Sequence, residues 1–357
     1  MNSILPPIAT QHPHSLIYHG DERIDPYYWL RDDTRSNPEV LDYLHAENGY
    51  TEAMLRPTEA LQKTLYQEMV DRQLPDDSSV PYYLKGYWYR SRYLPEQEYP
   101  LYERLAARPD APTELLLDGN ERAAEVDFYD LGALEISPSN HWMACSEDVV
   151  SRRQYQISVR NLQTGEWLAD RIENTSGDIV WSADSAGFFY VRLDEETLLP
   201  YQVWYHKLGS ETAQDKLVYE EADNTYYLHI SHSRSEEYLL ISLSSTLSTE
   251  VHLLSLNTPQ GTPTVFLTRR RGHEYGVDHF QQHFYVRSNR EGRNFALYQA
   301  TDGAEQYWQC LLPVRDAILL QDFLLFRNAL FVENITAAWR QLSAVGARQA
   351  IANVPGI

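Results

Sequence analysis

Trp181–Ser182–Ala183–Asp184–Ser185–Ala186–Gly187–Phe188 is the stretch whose reading decides the fold. Ile179, Val180 and Trp181 precede it, and Phe188, Phe189 and Tyr190 follow it. β-Branched and aromatic residues suit a pleated surface, whereas Asp, Ser and Gly suit a tight turn. The segment therefore reads as two antiparallel strands joined by a small polar hairpin. The same pattern recurs at Ile136–Ser137–Pro138–Ser139–Asn140–His141–Trp142 and from Ile230 through Ser233 to Tyr238. A hairpin that returns at a period of about 45 residues marks a repeat architecture built of four-stranded units.

Strands of period two fill the chain around these hairpins. The first unit is Tyr82–Leu84, Tyr87–Tyr93, Pro100–Leu105 and Glu114–Leu117. The second is Ala133–Ser137, His141–Ser146, Gln154–Asn161 and a weak fourth strand near Trp167–Ile172. The third opens at Asp178–Ser182, the fourth at Tyr226–Ser231, the fifth at Tyr275–Phe280 and the sixth at Ile318–Phe323. Even spacing without long linkers predicts an incomplete β-propeller over residues 76–334, about five and a half blades. Stacked β-sandwiches are the alternative.

The flanks differ in character. Residues 1–75 predict an α-helical segment. Asn37–Pro38–Glu39 combines an N-cap, a proline at the first helical position and an acid in the first turn. Pro57–Thr58–Glu59 starts a second helix with Leu61, Leu65 and Met69 on one face. Residues 335–357 contain no Asp or Glu and are rich in alanine. They read as a divergent tail with a short helix around Trp339, Leu342 and Val345, and as failing to complete the sixth unit. A true C-terminal cap is the other reading.

Composition narrows the function classes. Formal net charge is −21, with 51 Asp and Glu against 30 Lys and Arg. Nucleic-acid binding needs dense basic patches and is not expected. Arg269–Arg270–Arg271, the basic triplet, reads as a solvated loop between strands. An acidic surface draws cationic ligands, but it also serves solubility alone, and charge does not choose between these. Cys145 and Cys310, without any CxxC, read as two buried free thiols in a reducing compartment. Neither a signal peptide nor a membrane span is expected.

The search for chemistry finds no GxSxG, no phosphate-binding glycine loop and no HExxH. His229 with His232, and His279 with His283, are candidate metal pairs that lack a third ligand nearby. Inner-strand or surface histidines are the better reading. Glu195–Glu196 and Glu220–Glu221 read as solvated turns, and Asp32–Asp33 as a packed loop anchor. The expectation is therefore no catalytic, cofactor-binding or metal residue.

The segment from His19–Gly20–Asp21–Glu22–Arg23–Ile24–Asp25–Pro26–Tyr27–Tyr28–Trp29–Leu30 to Asp33 resembles the N-terminal segment of the prolyl oligopeptidase family. Val40–Leu44, Ser151–Tyr155, Leu199–Trp204, Gln214–Leu217 and Arg287–Arg290 are similar to its oligopeptidase B (protease II) branch, in the same order. The resemblance implies a seven-bladed propeller, mainly β, preceded by helices that pack on a C-terminal α/β-hydrolase domain. It implies cytoplasmic serine peptidases that admit only short peptides and cleave after Lys or Arg. Their Ser, Asp and His lie in the hydrolase domain, and no position here matches those motifs. Short cationic peptides are thus the implied partners of an intact enzyme, together with a separately made C-terminal hydrolase fragment. Three readings stay open: the inactive front part of such a peptidase, a standalone binding propeller, or a truncated or frameshifted product.

Overall fold

The N-terminal helix forms where its capping signals place it. In the computed structural model, which describes residues 5–336, 339–345 and 352–353, helix α1 spans Pro38–Leu55. The Asn37 side chain accepts from the Glu39 N–H at 3.0 Å. A 3-10 turn, Arg56–Thr58, leads into helix α2, Glu59–Val70. Its stripe is exposed, with Leu61 at 58%, Leu65 at 46% and Met69 at 56%. Val40 is the buried apolar residue of α1.

These helices belong to the first of two units, Met1–Asp77 and Ser78–Ile357. The first unit also holds a hairpin of His14–Tyr18 against Asp21–Asp25, which periodicity does not reveal because almost every residue in it is exposed. His19 and Gly20 turn it with φ of 53° and 81°, the two positive values that a two-residue turn of this hand needs. Asp32 is the loop anchor expected of it. It accepts from the Thr34 hydroxyl and from the N–H groups of Thr34, Ser36 and Asn37, and these bonds lower its carboxyl to about 2. Asp33 only faces the exposed Arg31.

The second unit is a succession of antiparallel four-stranded blades. Blade 1 is Tyr82–Leu84, Tyr87–Tyr93, Leu101–Ala106 and Thr113–Asp118, with a further edge bond from Ser79 N–H to the Ser91 carbonyl. Blade 2 opens with Asp130–Ile136, Trp142–Asp148 and Tyr155–Asn161. Blade 3 continues with Gly187–Leu193, Pro200–Lys207 and Lys216–Glu220. One 15-residue strand, Trp167–Trp181, is the fourth strand of blade 2 and the first of blade 3. The sequence divides here because Asn174 and Gly177 bend the strand, with φ of 56° and 97°, while its pairing continues. A Cβ at Gly177 would also crowd the Tyr155 ring, at 3.1 Å.

Blade 4 is Tyr227–His232, Tyr238–Ser244, Thr249–Ser255 and Thr264–Leu267, and blade 5 is Tyr275–Phe280, His283–Ser288, Ala296–Ala300 and Gln309–Leu312. Blade 6 is Leu319–Phe326, Ala329–Ile335, Arg340–Val345 and Ala352–Asn353. The helix expected around Trp339, Leu342 and Val345 is therefore a strand. Pairing overrides alanine's helical preference: Val332 lies opposite Ser343, and both are buried.

The core sits between blades. Phe188 and Tyr190 pack toward blade 2 with Ile157, Ile172 and Trp181, whereas Phe189 and Val191 pack toward blade 4 with Leu228, Ile230 and Ile241. Successive residues of a strand face opposite sides. A strand covered on both sides thus reads as a continuous apolar run, as Gly187–Leu193 does. Cys145 is buried as expected, but Cys310 is exposed, on the short outer strand of blade 5.

Candidate functional site, the mouth of the inner passage

Each recurring hairpin is built around a fully buried serine. The N–H groups of Ser137, Ser182 and Ser233 donate to the carbonyls of Trp142, Gly187 and Tyr238. Three residues on, Asn140, Ser185 and Glu236 take the left-handed conformation, with φ near 60°. Blade 1 has a tighter version, with Lys85 at φ 47° and Gly86 at φ 89°. Neighbouring hairpins are tied together: Ser139 N–H donates to Ser185 Oγ, and Ser235 N–H to the His279 carbonyl. The first strands of the blades and their hairpins thereby converge on one cavity.

That cavity measures about 820 Å³. Tyr82, Tyr83, Trp181 and Phe326 supply aromatic walls. Its charged lining comes from three blades. Lys85 of blade 1 reaches Glu236 of blade 4, Nζ to Oε2 2.9 Å. Arg234 lies with its guanidinium 5.4 Å from the Phe326 ring centre. Glu135 of blade 2 accepts from Trp181 Nε1 through its backbone carbonyl, at 3.0 Å. Its carboxylate has no hydrogen-bond or ion-pair partner among the described residues. Burial pushes that carboxyl up from the ordinary range, with His232 and Lys85 acting in opposition. Below the mouth, Asp278 accepts from the N–H groups of Arg234 and His279, and burial raises its carboxyl too.

The residues singled out from sequence fall in several places. His232 lines the cavity, with Nδ1 3.0 Å from the Ser233 carbonyl oxygen. His229 bonds Asp178 at 2.9 Å, His279 bonds Ser235 at 2.8 Å and His283 meets the Gln281 carbonyl at 3.0 Å. Each ring nitrogen named already has a protein partner. Among the described residues, no three His, Cys, Asp or Glu side chains converge to hold a metal.

Two readings are corrected. Arg269 is not a solvated loop residue. Its guanidinium lies 3.9 Å from the Tyr226 ring centre and binds both Glu221 and Glu250. Glu221 accordingly leaves the solvated-turn class, since its side chain is 7% exposed. Arg270 pairs with Glu305 at 2.8 Å. Sequence reasoning missed these contacts because Glu221, Glu250 and Arg269 come together only when blades 3 and 4 pack.

Serine–histidine contacts also occur, without the third member that nucleophilic catalysis needs. Ser288 Oγ is 2.7 Å from His273 Nε2, but Arg270 occupies His273 Nδ1 at 3.1 Å where an orienting carboxylate would stand. Burial and then Arg270 lower the basicity of that imidazole. The fully buried Ser288 offers no access to a substrate.

Known proteins match this arrangement along nearly the whole chain. The family described as prolyl oligopeptidase, N-terminal β-propeller domain, matches residues 6–353. Dipeptidyl aminopeptidase BI of Pseudoxanthomonas mexicana is 40% identical over 343 residues, which is 91% of this chain and 47% of that protein. Protease 2 of Moraxella lacunata is 33% identical over 333 residues, covering 88% of this chain and 48% of the relative. Among solved structures, oligopeptidase B from Leishmania major superposes with a TM-score of 0.90 at 27% identity, over 97% of this chain and 52% of that one. Oligopeptidase B from Trypanosoma brucei, with covalently bound antipain, gives 0.87 at 26% identity, over 98% and 52%. The chain spans about half the length of the relatives it matches.

Proposed function

Since the chain belongs to the prolyl oligopeptidase family, matching its N-terminal β-propeller domain, we propose that it is the substrate-gating part of an oligopeptidase B-like serine peptidase. The observation that carries this reading is the cavity of about 820 Å³ into which the inner hairpins of the blades converge. A cavity of that volume holds a few residues of an extended peptide and has no room for a folded domain. The hydrolysed bond would follow Lys or Arg. The net charge of −21 favours such cationic substrates by steering them toward the protein. The Ser, Asp and His of the reaction would come from a C-terminal α/β-hydrolase portion, because the chain holds no GxSxG sequence. That portion would also cover Leu61, Leu65 and Met69 of α2.

A cytoplasmic setting suits the two unpaired thiols, Cys145 and Cys310. Among the described residues, no helix is long and apolar enough to cross a membrane.

The test uses the chain alone, then the chain joined to the catalytic half of an oligopeptidase B. Alone it is expected to cleave no arginine amide and to take no fluorophosphonate label. Joined, it is expected to cleave short arginine peptides and to spare the same bond in a folded protein. Labelling of the lone chain at one serine would overturn the proposal. A second reading, an autonomous peptide-binding propeller, is favoured by the self-contained apolar clusters at each blade junction. It predicts a monomeric, cooperatively unfolding chain.

A further inference from the structure

We infer that Glu135 is a specificity-determining residue of the propeller itself, taking a guanidinium or ammonium side chain of a peptide inside the passage mouth. The inference rests on the reading of that mouth as a peptide passage, and adds to it a selection made before any catalytic site is reached.

The argument begins with the ionic pairing of the cavity. Three carboxylates line it, Glu135, Glu236 and Glu237, against two cations, Lys85 and Arg234. Lys85 is engaged by Glu236 at 2.9 Å, and Arg234 lies over Phe326. Glu135 is left with no partner among the described residues, although it is partly withdrawn from water. A carboxylate so placed has lost hydration without gaining a counter-ion in direct contact, so an arriving cation relieves a cost already present.

The surroundings suit a cation with an apolar stem. Leu134 and Ile136 flank Glu135 on its strand, and Tyr82, Tyr83 and Trp181 line the same cavity. Aromatic rings attract cations and cover methylene groups. A neutral side chain brings Glu135 no counter-charge, and an anionic one is repelled by all three carboxylates.

The experiment is a calorimetric titration of the 357-residue chain with acetyl-Ala-Arg-Ala-amide and with its citrulline counterpart, a neutral isostere. Tryptophan emission gives a second readout, since Trp181 lines the cavity. The wild-type chain is expected to prefer the arginine peptide by about tenfold or more, the value of one charge-assisted hydrogen bond. Glu135→Gln, which keeps the side-chain volume, is expected to abolish the preference while citrulline binding stays unchanged. Lys85→Ala removes the neighbouring cation, releases Glu236, and is expected to tighten arginine binding. A preference that survives in Glu135→Gln overturns the inference. Equal binding of both peptides to the wild-type chain also overturns it, yet leaves the passage reading standing. Binding of neither peptide removes both.

Discussion

Replacing Arg269 by methionine tests whether blades 3 and 4 are held by a buried charge network. Arg269 binds Glu221 and Glu250, whose side chains are 7% and 8% exposed, and it covers the Tyr226 ring. Its backbone N–H also donates to Glu250, at 2.8 Å. Methionine keeps the apolar stem over Tyr226 but leaves two carboxylates buried side by side. Removing one partner of a buried pair costs about 3–5 kcal/mol, and the partial exposure of Arg269 places this case near the lower end, about 3 kcal/mol. For a unit of this size that corresponds to a fall in Tm of roughly 6–12 °C.

The pH dependence supplies the sharper criterion. In the wild-type chain, burial works to raise the Glu250 carboxyl, but the bonds from Arg269 and His252 prevail and hold it at about 2. A folded value below the unfolded one contributes stability that is present above about pH 4.3 and is lost as pH falls toward 2. Without the guanidinium only the backbone N–H of residue 269 and His252 still oppose burial, so the Glu250 carboxyl is held down less and the variant loses less than wild type as pH falls from 7 to 4. Scanning calorimetry at pH 7, 5.5 and 4 should therefore show a Tm gap that narrows with acid. A gap under 2 °C, or one that is constant with pH, refutes the reasoning. Adding Glu221→Gln and Glu250→Gln to the variant should recover most of the loss at pH 7.

Four further expectations follow from local geometry. Gly187→Ala would place a Cβ 2.2 Å from the His206 carbonyl oxygen and should destabilise by about 2–3 kcal/mol, read as a shifted denaturation midpoint. Gly49→Ala, in α1 with nothing within 4 Å of the new Cβ, should instead add up to about 1 kcal/mol of helix stability. His229 should titrate above its ordinary value in an NMR pH series because of its hydrogen bond to Asp178; that contribution is complete below about pH 6.5, lost as pH rises through the folded value, and removed by Asp178→Asn. Leu65→Ser, at a side chain 46% exposed on α2, should change the stability of this chain by no more than about 0.5 kcal/mol by chemical denaturation, and a larger loss would mean that the stripe is covered within the chain.

Much of this molecule is legible from local pattern. Tyr87–Tyr93, Gly187–Leu193, Tyr238–Ser244 and His283–Ser288 are strands at the residues where apolar and aromatic runs stop at turn formers. Asn37–Pro38–Glu39 starts α1 because capping is decided within one turn of chain. The serine hairpins are equally local, since each buried serine bonds a residue five positions on. Strand, turn and cap depend on neighbours in sequence, and so the sequence by itself determined them, together with the blade repeat they imply.

What lay beyond reach depends on partners distant in sequence. The acid of Ala133–Leu134–Glu135–Ile136 interrupts an otherwise apolar inner strand, a signal that was present, yet only the convergence of three blades makes it an unpaired carboxylate in a cavity. The strand Arg340–Val345 owes its conformation to pairing with Ala329–Ile335 against alanine's own preference. Arg269 meets Glu221 across 48 residues. Local propensities differ by a few tenths of a kcal/mol per residue, whereas burial and charge pairing between blades involve several, and those larger energies exist only after the tertiary structure has formed.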